Sequence, residues 1–220
     1  MAPLLRLGVL ASGSGSNLQA ILDACAARRI PAEVAVVICN VPGARALQRA
    51  AEARVPAVLL PHGEHKRRED YDARLVTELR SRGVELVCLA GFMRIVTPVL
   101  LSAFPQRVLN IHPSLLPAFP GMHGVRQALQ AGVRVSGCTV HFVDEGTDSG
   151  PIVIQAAVPV LEGDTEESLA ARILAQEHRI YPRAIQLVAD GRISFDGRRV
   201  RVSGAPGDPA PTLSSPPVGP

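Results

Sequence analysis

The sequence has no tryptophan, and aromatic residues make up only 3% of its 220 positions. That scarcity argues against a nucleic-acid surface built on stacked bases, which needs aromatic platforms. It also leaves Val, Leu, Ile and Ala to fill the core, as where parallel strands are covered on both faces. There is no Cys-x-x-Cys pair. Cys25, Cys39, Cys88 and Cys138 stand apart in apolar surroundings, which fits reduced, buried thiols in a cytoplasmic protein better than a disulfide framework. No G-x-x-x-x-G-K-[ST] segment occurs, so no Walker-type ATP site is expected. The run Leu5 to Leu10 is too short and wrongly flanked for a signal peptide, and no stretch reaches membrane-spanning length. What is present is ordinary for a soluble globular chain: 47% hydrophobic and 20% charged residues, enough for one large α/β domain. The net charge of +3 suits an anionic small substrate as well as it suits a solvated surface. Arg192, Arg198, Arg199 and Arg201 gather near the C-terminus.

Short apolar runs alternate with helical patterns. Strands are expected at Leu5–Ser12, Val34–Asn40, Ala57–Leu60 and Leu86–Ala90. Helices are expected at Leu18–Ala27, with Asn17 as its N-cap, at Ala44–Ala53, and at Glu69–Arg80, which Gly83 closes. This alternation implies βαβ crossovers: a Rossmann-like open, mostly parallel twisted sheet with helices on both faces. After Ala90, prolines and glycines break the chain into short pieces around a fifth strand, Arg107–His112. Val133–Val143 and Pro151–Val160 follow as strands joined by a polar loop. Thr165–Ala189 is the longest helical pattern, capped by Asp164 or Thr165, and Pro182 is expected to kink or divide it. A hairpin is expected around Asp196-Gly197. The catalytic domain is expected over 1–203. The stretch 204–220 has the composition of a disordered tail.

Three segments could carry chemistry. Ser12-Gly13-Ser14-Gly15-Ser16-Asn17 joins a strand to a helix start, where glycines and free N–H groups make either an anion site or simply a tight turn. A dinucleotide reading fails: Leu18 stands where the third glycine of G-x-G-x-x-G belongs, and strand two ends in neutral Cys39-Asn40 rather than an acid. In Leu109-Asn110-Ile111-His112-Pro113, Asn110 and His112 lie two apart and face the same side of a strand. They emerge at its carboxyl end, where open α/β sheets place their sites. An amide beside an imidazole can hold one carbonyl oxygen as it becomes an oxyanion; a satisfied structural histidine is the plainer alternative. Asp144-Glu145-Gly146-Thr147-Asp148-Ser149-Gly150 has the composition of a solvated turn, yet Asp148 could reach His112 and lower its own pKa. His62 and His65 have no second cluster to complete a metal site, and His141 reads as a packed strand histidine.

In this order, these stretches resemble the glycinamide ribonucleotide formyltransferase family. The resemblance is carried by Ser12 to Ala20, Leu89-Ala90-Gly91-Phe92-Met93-Arg94-Ile95, Leu109 to Pro117, Thr139 to Val143, Asp148-Ser149-Gly150-Pro151 and Gln176-Glu177-His178 with Tyr181-Pro182. It runs from about Leu5 to about Arg192. It implies transfer of a formyl group from 10-formyltetrahydrofolate, a co-substrate, to the amine of 5-phosphoribosylglycinamide in purine synthesis, with neither metal nor ATP. It implies catalytic roles for Asn110, His112 and Asp148. Gly15, Ser16, Asn17 and Glu177 would hold the ribonucleotide. Arg68, Met93, Arg94, Ile95, Val96 and Asn110 would line the folate site, with Asp144, Glu145, Gly146, Thr147 and Asp148 closing over the pterin. The implied partners are small molecules, with no nucleic acid and no membrane, and the chain would act as a monomer or homodimer. Three departures stand out. Gly124-Val125 replaces a frequent Thr-His and leaves the role of His123 open, Ser149 replaces a common glycine, and Ser14 replaces a frequent asparagine. A formyltetrahydrofolate hydrolase is the alternative. Related hydrolases carry a regulatory domain before the catalytic one, and strand one here starts within a few residues of Met1. A transfer-RNA formyltransferase would need a folded C-terminal domain that the tail cannot supply.

Overall fold

The computed structural model describes residues 3–204 together with Leu213 and Ser215; the expected tail otherwise lies outside the described residues. Five strands build the parallel part of one sheet: β1 (Leu5–Ala11), β2 (Ala32–Cys39), β3 (Ala57–Leu59), β4 (Leu86–Leu89) and β5 (Val108–His112). β6 (Val135–Phe142) and β7 (Ile152–Pro159) extend it, each antiparallel to its predecessor. The order β3-β2-β1-β4-β5-β6-β7 reverses winding between β1 and β4. Ligands of open α/β sheets bind at that switch point, outside the carboxyl ends of the strands.

Two apolar layers sandwich the sheet. On one face, Leu7, Val9 and Ala11 pack with Leu18, Ile21 and Leu22 of α1 (Ser16–Ala26) and with Ile173, Tyr181 and Ile185 of α6 (Glu166–Ala189). On the other, Leu10, Val36 and Ile38 meet Tyr71, Leu75 and Leu79 of α3 (Arg68–Ser81). α2 (Arg45–Glu52) follows β2. The central strands are buried on both sides, which is why they read as unbroken apolar runs. Burial raises the pKa of all four thiols, Cys25 to about 11 and Cys138 to about 12. None of the four is a thiolate nucleophile at neutral pH.

The structure corrects three sequence expectations. Asn17 does not cap α1: Gly15 does, in the left-handed region (φ 68) and without a side-chain cap. Asn17 lies inside the first turn, buried. Pro182 does not divide α6, which continues through it for 24 residues. Tyr181, Ala184, Ile185, Leu187 and Val188 are buried around it. Tertiary packing thereby offsets the roughly 3 kcal/mol an interior proline costs. The proline- and glycine-broken stretch after β4 also holds two helices that the sequence reading omits, α4 (Pro98–Ala103) and α5 (Gly124–Gln130). Pro98 takes the first position of α4, where its missing N–H is harmless. Asp72 of α3 accepts from Thr97 N (2.5 Å) and Thr97 Oγ1 (2.8 Å) at that helix start. α6 begins with Thr165 and Ser168 capping each other's backbone N–H. The expected hairpin forms as β8 (Ile193–Asp196) and β9 (Arg199–Val202).

Candidate active site

β5 ends in Asn110 and His112, and β6 runs antiparallel beside it so that Asn110 faces His141 and His112 faces Thr139. The loop between β6 and β7 then returns Asp148 to the same spot. Asp148 Oδ2 lies 3.3 Å from His112 Nδ1 and accepts from Gly121 N at 2.8 Å. Its Oδ1 accepts from Asn110 Nδ2 at 3.4 Å and stands 3.6 Å from His141 Nε2. Burial alone would raise the Asp148 carboxyl. The His141 and Gly121 hydrogen bonds and the charges of His112 and His141 outweigh it and hold the group below its ordinary value. His112 is only 5% exposed, and its Nε2 meets Phe119 O at 2.8 Å. A carbonyl can only accept, so Nε2 carries a proton. Nδ1 faces a carboxylate. Both partners are satisfied at once only by the doubly protonated ring. His141 donates Nδ1–H to Phe142 O (2.9 Å), leaving Nε2 to accept from Asn110 Nδ2 (3.2 Å).

This cluster forms one wall of a cavity of about 720 Å³. Arg68, Met93, Arg94, Ile95 and Val96 line it from the β4 side, and Asp144, Gly146, Thr147 and Asp148 from the β6–β7 loop. Glu145 is exposed and does not line it. Met93, Ile95 and Met122 present exposed apolar side chains, and Arg94 sits 4.9 Å over the Tyr71 ring, a cation–π contact that anchors the wall. His123 also lines the cavity, and its left-handed backbone starts α5. The size and the apolar lining with a few convergent polar groups suit a small organic ligand.

The other expected residues assemble at the switch point. Gly15 needs both its positive φ and its lack of a side chain, because a Cβ there would stand 2.9 Å from Ala46 Cα. The turn it makes aims the free N–H groups of α1 outward. Asn17 Nδ2 donates to Glu177 Oε2 at 2.7 Å across 160 residues of chain, while Asn17 Oδ1 is buried without a partner. Burial raises the Glu177 carboxyl, and the Asn17 bond partly reverses this. Ser12 joins the two regions: its N–H donates to Gly91 O (3.1 Å), and its hydroxyl accepts from Met93 N (2.9 Å) and donates to Asn40 Oδ1 (2.6 Å). Asn40 in turn bonds His62. Among the described residues, no three His, Cys, Asp or Glu side chains cluster as metal ligands, and no helix is long and apolar enough to cross a membrane.

The formyl transferase family profile matches residues 5–185. The chain belongs to the formyl transferase family. It is 44% identical to the phosphoribosylglycinamide formyltransferase of Escherichia coli over 211 residues, covering 93% of this chain and all of the relative. It is 50% identical to the Drosophila melanogaster trifunctional purine biosynthetic protein adenosine-3 over 84% of this chain, but spans only 14% of that protein. Among solved structures, glycinamide ribonucleotide transformylase 1 of Symbiobacterium toebii superposes with a TM-score of 0.91 at 58% identity, over 92% of this chain and 95% of the other. Two contributors to this formyl transferase site escaped the sequence reading. His141 looked like core because strand alternation buries it, and only the β5–β6 register sets it against Asn110. The Phe119 carbonyl and Gly121 N–H are backbone groups with no side-chain signature.

Proposed function

We propose that this formyl transferase moves the formyl group of 10-formyltetrahydrofolate onto the primary amine of 5-phosphoribosylglycinamide, yielding the formylated ribonucleotide and tetrahydrofolate. The observation that carries this reading is the buried cluster of Asn110, His112 and Asp148 at the wall of a cavity large enough for a folate, beside a glycine turn at a helix start. The full-length match to the Escherichia coli enzyme points to the same reaction.

The amine nitrogen attacks the formyl carbon, and the carbonyl oxygen gains negative charge. Asn110 and doubly protonated His112 are the donors that receive it. Phe119 O holds the place at His112 Nε2 that the oxyanion takes over. Such preorganised donors stabilise the developing charge without reorganising at the moment of reaction. Asp148 balances the imidazolium and helps relay the proton lost by the attacking nitrogen. Collapse of the tetrahedral intermediate breaks the bond to the folate N10, which takes up a proton. Gly15, Ser16 and Asn17 offer N–H groups to the phosphate. Glu177, oriented by Asn17, accepts from a ribose hydroxyl. Arg68 and Met93 to Val96 hold the folate, and the loop from Asp144 to Asp148 covers its pterin. The domain through residue 203 carries the activity, and its free thiols suit a reducing cytoplasm.

A steady-state assay varying both substrates tests the reading. Turnover should saturate in each and require the amine. Folate product appearing at the same rate without the ribonucleotide would overturn it in favour of a hydrolase.

A further inference from the structure

The loop that carries Asp148 is unusually tied. Asp148 itself occupies the left-handed region (φ 50), which non-glycine residues visit rarely. Inside the loop, Asp144 Oδ1 accepts from Gly146 N (3.1 Å) and from Ser149 Oγ (2.7 Å). The Ser149 hydroxyl packs directly over Gly146: a Cβ there would come within 2.1 Å of it. From outside, the turn between β8 and β9 reaches over. Arg198 Nη2 donates to Ser149 O at 2.5 Å and lies 3.8 Å from Asp144 Oδ2. The hairpin is seated by Phe195, whose ring centroid is 4.9 Å from that of Phe142 at the end of β6. Neither Ser149 nor Arg198 lines the cavity, while Asp144, Gly146, Thr147 and Asp148 do.

We propose that Ser149 and Arg198 form a clasp that fixes the β6–β7 loop from behind, making both of them positioning residues for Asp148 and for the folate-facing wall. The clasp gives the C-terminal arginine-bearing hairpin a task. It also gives a reason for a serine where relatives commonly carry glycine: the hydroxyl ties Asp144 to the far end of the loop and leaves Ser149 O aimed at Arg198. The functional consequence rests on the proposed folate reading of the cavity; the mechanical one does not.

Arg198→Ala, Ser149→Ala, the double variant and Arg198→Lys test it in the full chain, with two readouts. These are half-exposed polar contacts, so each alanine variant should raise the KM for 10-formyltetrahydrofolate about 2–5-fold. The KM for the ribonucleotide and the melting temperature should stay at parental values. The double variant should lose less than the product of the singles, because both residues hold the same segment. Arg198→Lys, which keeps a cation beside Asp144, should lose less than Arg198→Ala. Hydrogen exchange of amides 144–150 should accelerate in each alanine variant. Unchanged exchange, or both KM values shifting together with the melting temperature, would overturn the clasp. If the parent does not use formylfolate at all, the functional reading fails, and exchange still decides whether the clasp holds the loop.

Discussion

Replacing Asp148 by asparagine removes one charge and almost no volume, and the surroundings accept the amide. Its oxygen can keep the bonds from Gly121 N and His112 Nδ1, while its nitrogen turns toward His141 Nε2, an acceptor 3.6 Å from the present Oδ1. The variant should therefore fold. What it loses is the carboxylate 3.3 Å from His112, with the two side chains only 14% and 6% exposed. At an effective dielectric near 20, that pair is worth at most about 5 kcal/mol. Loss of one oxyanion-type donor typically costs on the order of 10²–10³ in kcat, about 2.7–4 kcal/mol, and falls inside that bound. Asp148→Asn and His112→Ala should each lower kcat by that factor while sparing both KM values. Both side chains serve one developing charge, so the double variant should be little worse than the worse single. The assay is kcat at saturating substrates, with circular dichroism to confirm folding. Near-parental kcat for Asp148→Asn, or losses that multiply, would refute the coupled pair. The depressed Asp148 pKa adds a pH signature. Stability from this group is present above its unfolded value, about 3.9, and is lost as pH falls through its lower folded value. The asparagine variant should lack that acid-side loss.

Gly15→Val forces a β-branched residue into φ 68 and against Ala46; at about 1–2 kcal/mol of backbone strain, the ribonucleotide KM should rise about tenfold with the folate KM unchanged, and equal loss of both would point elsewhere. Glu177 has a raised folded pKa, so its contribution to stability is full below its unfolded value, about 4.3, and is lost as pH rises through the folded value. Glu177→Gln should then melt higher than the parent at pH 8, by about 2–4 °C for each kcal/mol recovered, match it near pH 4, and bind the ribonucleotide more weakly; equal melting at both pH values would contradict the cause assigned. Deleting residues 205–220, whose composition is that of an unfolded segment, should leave kcat and melting temperature at parental values, and a fall in either would show that the segment docks.

The parallel half of the fold was legible because burial on both faces writes itself into sequence as unbroken runs such as Leu86 to Leu89. The positions of Asn110 and His112 followed from strand period and from Pro113 ending the ladder. What stayed hidden depends on groups distant in sequence. Asn17 reads locally as a cap, yet its partner is Glu177 on α6. His141 acquires its role from a cross-strand register that no single segment encodes. The helices α4 and α5 are six and seven residues long, too short for a periodic pattern, and they begin at Pro98 and Gly124, residues that locally signal a break. Pro182 misled for the opposite reason: its local penalty is real, and long-range packing of α6 overrides it.

The central claim is that the formyl carbon passes directly to the substrate amine. Incubating the protein with 10-formyltetrahydrofolate labelled with carbon-13 at the formyl group, with and without 5-phosphoribosylglycinamide, and following the label by NMR tests it most directly. The account predicts that the label moves to an amide formyl on the glycine nitrogen, only when the ribonucleotide is present, and without free formate as an intermediate. Label released as formate at the same rate whether or not the amine is there would contradict it.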